Sequence, residues 1–161
     1  MASLTAFKFS TPEGAEQMLG KVKELQKAKM IEINDAAIVT WPEGADKPKT
    51  RQEAGMGKKG ALKGAFWGLL FGLIFAIPIA GLAVGAAIGT VAGTIRKYGI
   101  DEEFIDQVRS KVTEGTSALF LMTSNAVMDQ LKEELKGYQF ELIASNLSQE
   151  QEKELTEAFG E

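Results

Sequence analysis

The sequence predicts a mixed α+β domain that is interrupted by an apolar helical hairpin. Short apolar runs typical of strands alternate with amphipathic stretches typical of helices towards both ends of the chain. Between them, residues 64–95 contain no charged residue, and glycine recurs at every fourth position in two runs on either side of Pro78. These observations favour a ferredoxin-like sheet of about four strands with helices on one face, with a glycine-zipper hairpin inserted between its two halves.

The first half of the domain, residues 1–53, predicts strand, helix and strand in that order. Residues 3–9 alternate as a strand does, and Pro12 then stands in the first turn of a helix. Residues 31–41 are rich in Ile, Val and Ala and predict the second strand, while the polar residues 47–52 fit an exposed edge strand. The helix presents one apolar face, made of Ala15, Met18, Leu19, Val22 and Leu25.

The second half, residues 98–161, repeats the strand and helix pattern. Asp101 is a predicted N-cap, followed by acidic residues that suit the first turn of a helix. Residues 117–123 form a nearly continuous apolar run, which predicts a central strand. A helix capped by Asn125 follows. Residues 138–143 then alternate as a strand, with Tyr138, Phe140 and Leu142 on one side. The last helix begins at a capping box of Ser148 and Gln151.

The apolar segment, residues 60–95, predicts two closely packed helices. Residues four apart share a helix face, so each glycine run forms a stripe along which another helix backbone can approach. Pro78 separates two halves of seventeen residues. Each half is about 26 Å long as a helix, slightly short of a hydrocarbon core of about 30 Å. The predicted packing and oligomer contacts are Gly60, Gly64, Gly68, Gly72, Gly81, Gly85, Gly89 and Gly93.

The bulky side chains of this segment and the charges on both sides of it indicate what surrounds the predicted hairpin. A helix that is apolar on all sides is either deeply buried or surrounded by lipid. Basic residues at both ends of a hairpin place both ends on the cytoplasmic side of a membrane. The side chains predicted to face lipid or a hydrophobic interior are Phe66, Trp67, Leu70, Phe71, Phe75 and Pro78, and the predicted basic anchors are Lys58, Lys59, Lys63, Arg96 and Lys97.

Composition bounds the chemistry of the chain. The sequence contains neither cysteine nor histidine, which excludes disulfides, thiol nucleophiles and imidazole metal ligands. We therefore expect a protein that is not an enzyme and that needs no cofactor. Residues 96–161 hold seven Lys/Arg against fourteen Asp/Glu, and this acidic balance argues against nucleic acid as a partner. The first nine residues lack the regions of a signal peptide, so we expect membrane entry through the internal hairpin.

The residues of this central region resemble the DUF1269 family, bacterial proteins often described as predicted membrane proteins. The matching motifs are the repeated glycines, the central Pro78, and the sequence Ile-Asp-Glu-Glu-Phe at residues 100–104 that leads to the apolar strand at residues 118–122. The resemblance is most specific over residues 58–122. It implies membrane association and a bacterial source, and it implies no catalytic residues.

These observations lead to one expected function and two alternatives. We expect residues 54–97 to be a linker and hairpin between two halves, 1–53 and 98–161, of a domain in the cytoplasm. The hairpin would associate with lipid or with other copies, which makes the protein a membrane-associated homo-oligomer. The first alternative is a soluble, cytoplasmic ring or cage whose hairpins bury one another, and the second is a ferredoxin-like module that binds a small molecule. We also expect residues 1–53, joined to 96–161 by a linker, to fold without the hairpin.

Overall fold

The computed structural model describes residues 2–33, 35–53, 64–75 and 96–159, which contain five strands and five helices. The strands are β1 (Ala2–Phe9), β2 (Asp35–Thr40), β3 (Lys49–Gln52), β4 (Ser117–Ser124) and β5 (Glu141–Leu147). The helices are α1 (Gly14–Lys27), α2 (Gly64–Phe75), α3 (Glu102–Lys111), α4 (Asn125–Glu134) and α5 (Gln149–Phe159). The predicted α+β class is confirmed.

All five strands form one antiparallel sheet in the order β3-β2-β4-β1-β5. β1 pairs with β4 along its full length, from Ala2 opposite Ser124 to Phe9 opposite Ser117. β4 lies in the middle of the sheet, as its continuous apolar run predicted. β3 lies at one edge, where its polar residues predicted it.

Apolar side chains pack against both faces of the sheet, so the prediction of helices on one face is wrong. On one face, Phe7 and Leu121 belong to a core that includes residues of α1 and α4. On the other face, Leu4 and Phe120 belong to a core that includes residues of α2 and α3. The reason is that β1 and β4 carry apolar side chains on alternate sides, and each apolar face of a sheet must be covered.

The helix starts follow local signals in the sequence. The Asp101 carboxylate caps α3 by accepting the backbone N–H three residues later at 2.9 Å. Ser148 and Gln151 form the predicted capping box of α5, with N–H to side-chain oxygen distances of 3.0 and 3.1 Å. Ser124 caps α4 instead of Asn125, because its hydroxyl accepts the amide N–H three residues later. The helix therefore begins one residue earlier than predicted.

β5 differs from its prediction in both its bounds and its inward side. The strand begins at Glu141, three residues after the predicted start, and its inward side chains are Ile143, Ser145 and Leu147. Leu142, which lay on the predicted apolar side, is 38% exposed. Pairing with β1 places Ile143 opposite Ala6, and both belong to the core on the α2 and α3 face. Local alternation could not identify the inward side because both sides of the segment contain apolar residues.

Candidate functional site

α2 is the part of the predicted hairpin that lies within the described residues. It has twelve residues without a charge and is therefore about 18 Å long. It packs on the sheet beside α3 and belongs to the same core. Its buried side chains are Phe66, Trp67, Leu70, Phe71, Leu73 and Ile74. None of the helices in the described ranges combines the length and the hydropathy that a membrane crossing requires.

A buried carboxylate of the sheet holds the indole of α2. Asp35, the first residue of β2, is only 2% exposed. Trp67 Nε1–H donates to Asp35 Oδ2 at 2.7 Å, and the side-chain amide of Gln52 donates to the same oxygen at 3.0 Å. The backbone N–H of Ala36 donates to Asp35 Oδ1 at 2.9 Å. Because a buried carboxylate is costly unless it accepts hydrogen bonds, this contact favours one position of α2 on the sheet.

Aromatic rings surround this polar contact. The Trp67 ring centroid lies 5.2 Å from that of Phe66, 5.7 Å from that of Phe71 and 6.4 Å from that of Phe120. Phe71 and Phe120 meet edge to face at 5.1 Å. Pairs of this geometry add about 0.5–1.5 kcal/mol each beyond the burial of their area. The aromatic side of α2 is therefore engaged with the sheet of its own chain.

Arg109 of α3 binds the last turn of α2. Its Nε donates to the carbonyl of Ile74 at 2.8 Å, and its Nη2 donates to the carbonyl of Leu73 at 2.9 Å. Two guanidinium donors on successive backbone carbonyls hold α3 against this part of α2 in one orientation. Asp106 lies 3.4 Å from Arg109 Nη1 on the same helix. α2 is thus joined to the domain by polar contacts near both of its ends.

The glycines of α2 lie in different surroundings. Gly64 is the first residue of α2, Gly72 is buried, and Gly68 is exposed. A Cβ added at Gly68 would meet no atom of the described residues within 4 Å, and the position is exposed. Phe75, one of the predicted lipid-facing residues, is partly buried and packs edge to face on Trp41 at 6.0 Å. The predicted residues outside the described ranges are Gly60, Gly81, Gly85, Gly89, Gly93 and Pro78.

Two of the predicted basic anchors lie within the described residues. Arg96 is exposed and forms an ion pair with Glu102 at the start of α3. Lys97 is also exposed, and its Nζ lies 5.9 Å from the centroid of the Tyr98 ring. The other predicted anchors, Lys58, Lys59 and Lys63, lie outside the described ranges. The anchoring role of all five, like the division of the chain at residues 54 and 97, stays a prediction.

Sequence reasoning missed Asp35, Gln52 and Arg109. Asp35 did carry a signal, because it is a charged residue at the head of an otherwise apolar strand, and such a residue needs a donor when it is buried. Gln52 and Arg109 carried none. Each stands in a polar stretch where solvent exposure is the ordinary expectation, and only the packing of α2 brings them to this site.

The chemistry of the described residues is that of packing and positioning. The Asp35 carboxylate accepts hydrogen bonds from α2, β2 and β3, and these bonds hold the helix in place. No group of three or more Asp or Glu residues in the described ranges is arranged to hold a metal ion. An open groove of about 920 Å³ lies on the other face of the sheet. Its lining includes Pro12, Glu13 and Glu16 before and within α1, Ile38 and Thr40 of β2, and Lys49, Thr50 and Arg51 of β3.

Fold and site together define a mixed α+β protein with an uncharged helix built into one face of an antiparallel sheet. A family model described as "Protein of unknown function (DUF1269)" matches residues 61–160, and the chain belongs to this family. The match takes in α2 and every element after it, and it confirms the resemblance stated from the glycine and Ile-Asp-Glu-Glu-Phe motifs. No curated protein matches the chain, and no solved structure does.

Proposed function

We propose that this protein is a non-enzymatic assembly protein that associates with further copies of itself, and with lipid, through its glycine-striped segment. One observation carries the proposal. α2 turns its aromatic side to the sheet, where Trp67 binds Asp35, while Gly68 is exposed and has no neighbour for an added Cβ among the parts of the chain that the structure describes. An uncharged helix that exposes a glycine has a surface on which another helix backbone can lie closely.

The contacts of α2 define which side takes part in assembly. Trp67 and Arg109 hold α2 on the domain, and among residues 66–75 only Gly68 is exposed, so the surface around Gly68 is the one left for a partner. Gly81, Gly85 and Gly89 repeat the same spacing later in the segment and would supply a matching stripe. Close packing of the two stripes, within a hairpin and between copies, is the proposed mechanism.

The proposal includes the finer layout of the domain. The strand order β2-β4-β1-β5, with α1 between β1 and β2 and α4 between β4 and β5, supports a ferredoxin-like arrangement to which β3 is added at one edge. The glycine-zipper hairpin is then an insertion between the two halves. We place the domain in the cytoplasm, with the basic residues on both sides of the hairpin at the membrane surface.

A soluble ring or cage is the second candidate function. It is favoured by the burial of Phe66, Trp67 and Phe71 within the chain itself, because these aromatic side chains then need no lipid to cover them. In that case the glycine stripes of neighbouring copies would bury one another, and the protein would be cytoplasmic. Sizing the protein with and without detergent separates the two candidates, since only the lipid-associated form should need detergent to stay in solution.

Gly68→Leu is expected to break the assembly, and Gly20→Leu offers a matched control. Both glycines are exposed on helices, and within the described ranges a Cβ added at either would meet no atom within 4 Å. A leucine at Gly68 occupies the groove of the proposed partner helix, and overpacking costs about 1–3 kcal/mol per site. We therefore expect smaller or heterogeneous species from Gly68→Leu in sedimentation velocity, and the wild-type size from Gly20→Leu.

A second substitution strengthens this test. Gly85→Leu adds the same obstruction to the second stripe, and the double variant is more apolar than the wild type. Simple partitioning into lipid should then stay the same or increase while close packing fails. If the Gly68→Leu, Gly85→Leu protein keeps the wild-type oligomer, the glycine stripes are not the contact and the proposed mechanism is wrong.

A further inference from the structure

The two edges of the sheet are built differently. β3 has only four residues, Pro48 precedes it, and its Lys49 and Arg51 side chains are exposed. Arg51 also forms an ion pair of 2.8 Å with Glu16 of α1. A short strand, a nearby proline and exposed basic side chains are the features by which proteins prevent another strand from pairing with an edge.

β5 has none of these features. It has seven residues without proline or lysine. Its register with β1 is unbroken from Lys8 opposite Glu141 to Ala2 opposite Leu147, so no bulge twists the edge away. Among the described residues β5 pairs only with β1, and its outer edge therefore presents a row of backbone N–H and C=O groups.

Apolar side chains accompany this edge. Tyr138 is 50% exposed, Leu142 is 38% exposed, and Ala144 is exposed as well. Leu142 and Ala144 alternate with the inward Ile143 and therefore lie towards the face covered by α1 and α4, but those helices pack on β1, β2 and β4. Phe140, which directly precedes β5, is partly buried, and its ring centroid lies 5.1 Å from that of Phe7 on this side of the sheet. An edge strand that is long, regular and partly apolar is a strand ready for pairing.

We propose that β5 pairs antiparallel with β5 of a second copy about a two-fold axis at Ala144, which joins two five-stranded sheets into one. Ala144 is the middle residue of the strand, so this register pairs all seven residues of each copy. A two-fold contact uses the same patch on both copies and satisfies both exposed edges at once. This contact is distinct from the glycine face of the proposed function, since α2 lies towards β3 and β5 is at the opposite edge.

The charges of β5 fit this partner. Glu141 is the one charged residue of the strand, and Lys111 Nζ lies 2.8 Å from its carboxylate. The hydrogen bond and charge of Lys111, together with the charge of Lys8, lower the pKa of Glu141 below its ordinary value. In the proposed register Glu141 faces Leu147 of the second copy, and the two glutamates lie about 20 Å apart. No like charges stand opposite one another, which is the condition for favourable cross-strand pairs.

A single cysteine tests the axis. The chain has no cysteine of its own, so the only thiol in an Ala144→Cys protein is the introduced one. On the axis the two Cβ atoms would be about 4.5–5.5 Å apart, close to the separation that a disulfide requires. We expect the full-length Ala144→Cys protein to form a covalent dimer under mild oxidation roughly ten-fold faster than Thr50→Cys, which places an exposed thiol on the β3 edge.

Two further measurements test whether the β5 contact exists and whether it is independent of the glycine contact of α2. The Leu142→Lys protein should sediment with half the mass of the wild-type protein, because a lysine on an edge strand opposes strand pairing. Ala144→Cys combined with Gly68→Leu should still cross-link at the rate of Ala144→Cys alone, even where the glycine contact has been lost. Equal cross-linking rates of Ala144→Cys and Thr50→Cys, or a wild-type mass for Leu142→Lys, would overturn the proposal.

Discussion

Trp67→Ala is expected to lower the free energy of unfolding by about 3–5 kcal/mol, the usual cost of removing a buried tryptophan. The side chain is 2% exposed and stacks between the rings of α2 and the sheet. Its removal leaves a cavity next to Phe71 and Phe120. It also removes a donor from the buried Asp35 carboxylate, and a buried acceptor that loses its partner costs about 1–3 kcal/mol.

Urea unfolding followed by far-UV circular dichroism measures this loss, and two variants separate its parts. Trp67→Phe keeps an aromatic ring but removes the indole N–H, so we expect a smaller cost of about 1–3 kcal/mol, the cost of leaving a buried acceptor without this donor. Trp41→Ala removes a half-buried tryptophan away from Asp35 and should cost less than Trp67→Ala. A loss below about 1 kcal/mol for Trp67→Ala would mean that α2 does not pack on the sheet.

Replacing residues 54–95 with a flexible linker is expected to abolish cooperative folding. The sequence alone suggested the opposite, namely that the flanking halves fold without the apolar segment. The structure changes this expectation because α2 covers the sheet face that contains Leu4, Ala37 and Phe120. Without α2 these side chains would be exposed to water, and an exposed apolar sheet face of this kind favours aggregation.

A shorter deletion provides the control. Replacing only residues 76–95 keeps α2 with its contacts to Asp35 and Arg109, so we expect this protein to unfold cooperatively. Thermal unfolding and the dispersion of amide signals in NMR spectra distinguish the two deletions. Native-like dispersion after loss of residues 54–95 would show that α2 is dispensable for the fold.

Local signals predicted most of the secondary structure. The apolar run of β4, the Asp101 cap and the Ser148–Gln151 capping box each act within a few residues, and each appears in the structure where the sequence placed it. The inward side of β5 and the second covered face of the sheet depend on contacts between distant residues. Ile143 faces the core because its partner Ala6 does, and no property of the segment itself reveals that.

The candidate site was only partly predictable for a related reason. α2 is apolar on all sides, so its sequence cannot distinguish burial in lipid from burial against a sheet. Among residues 66–75 of α2 only Gly68 is exposed, whereas Gly72 is buried, so the glycine spacing by itself did not reveal which side of α2 is open or what the other side contacts. Of the partners that answer this question, Arg109 looks like an ordinary surface charge in the sequence, while Asp35 stands out only as a charged residue at the head of an apolar strand.

The environment of Trp67 in the presence of lipid tests most directly whether α2 stays on the sheet. In a full-length Trp41→Phe protein, Trp67 is the only tryptophan that remains. The indole is enclosed between Asp35, Phe71 and Phe120, so we expect its fluorescence emission in water to be blue-shifted and weakly quenched by acrylamide. We expect the same emission after vesicles of phosphatidylglycerol and brominated phosphatidylcholine are added. Quenching of Trp67 by the brominated lipid would contradict this, since it would mean that α2 leaves the sheet and enters the bilayer.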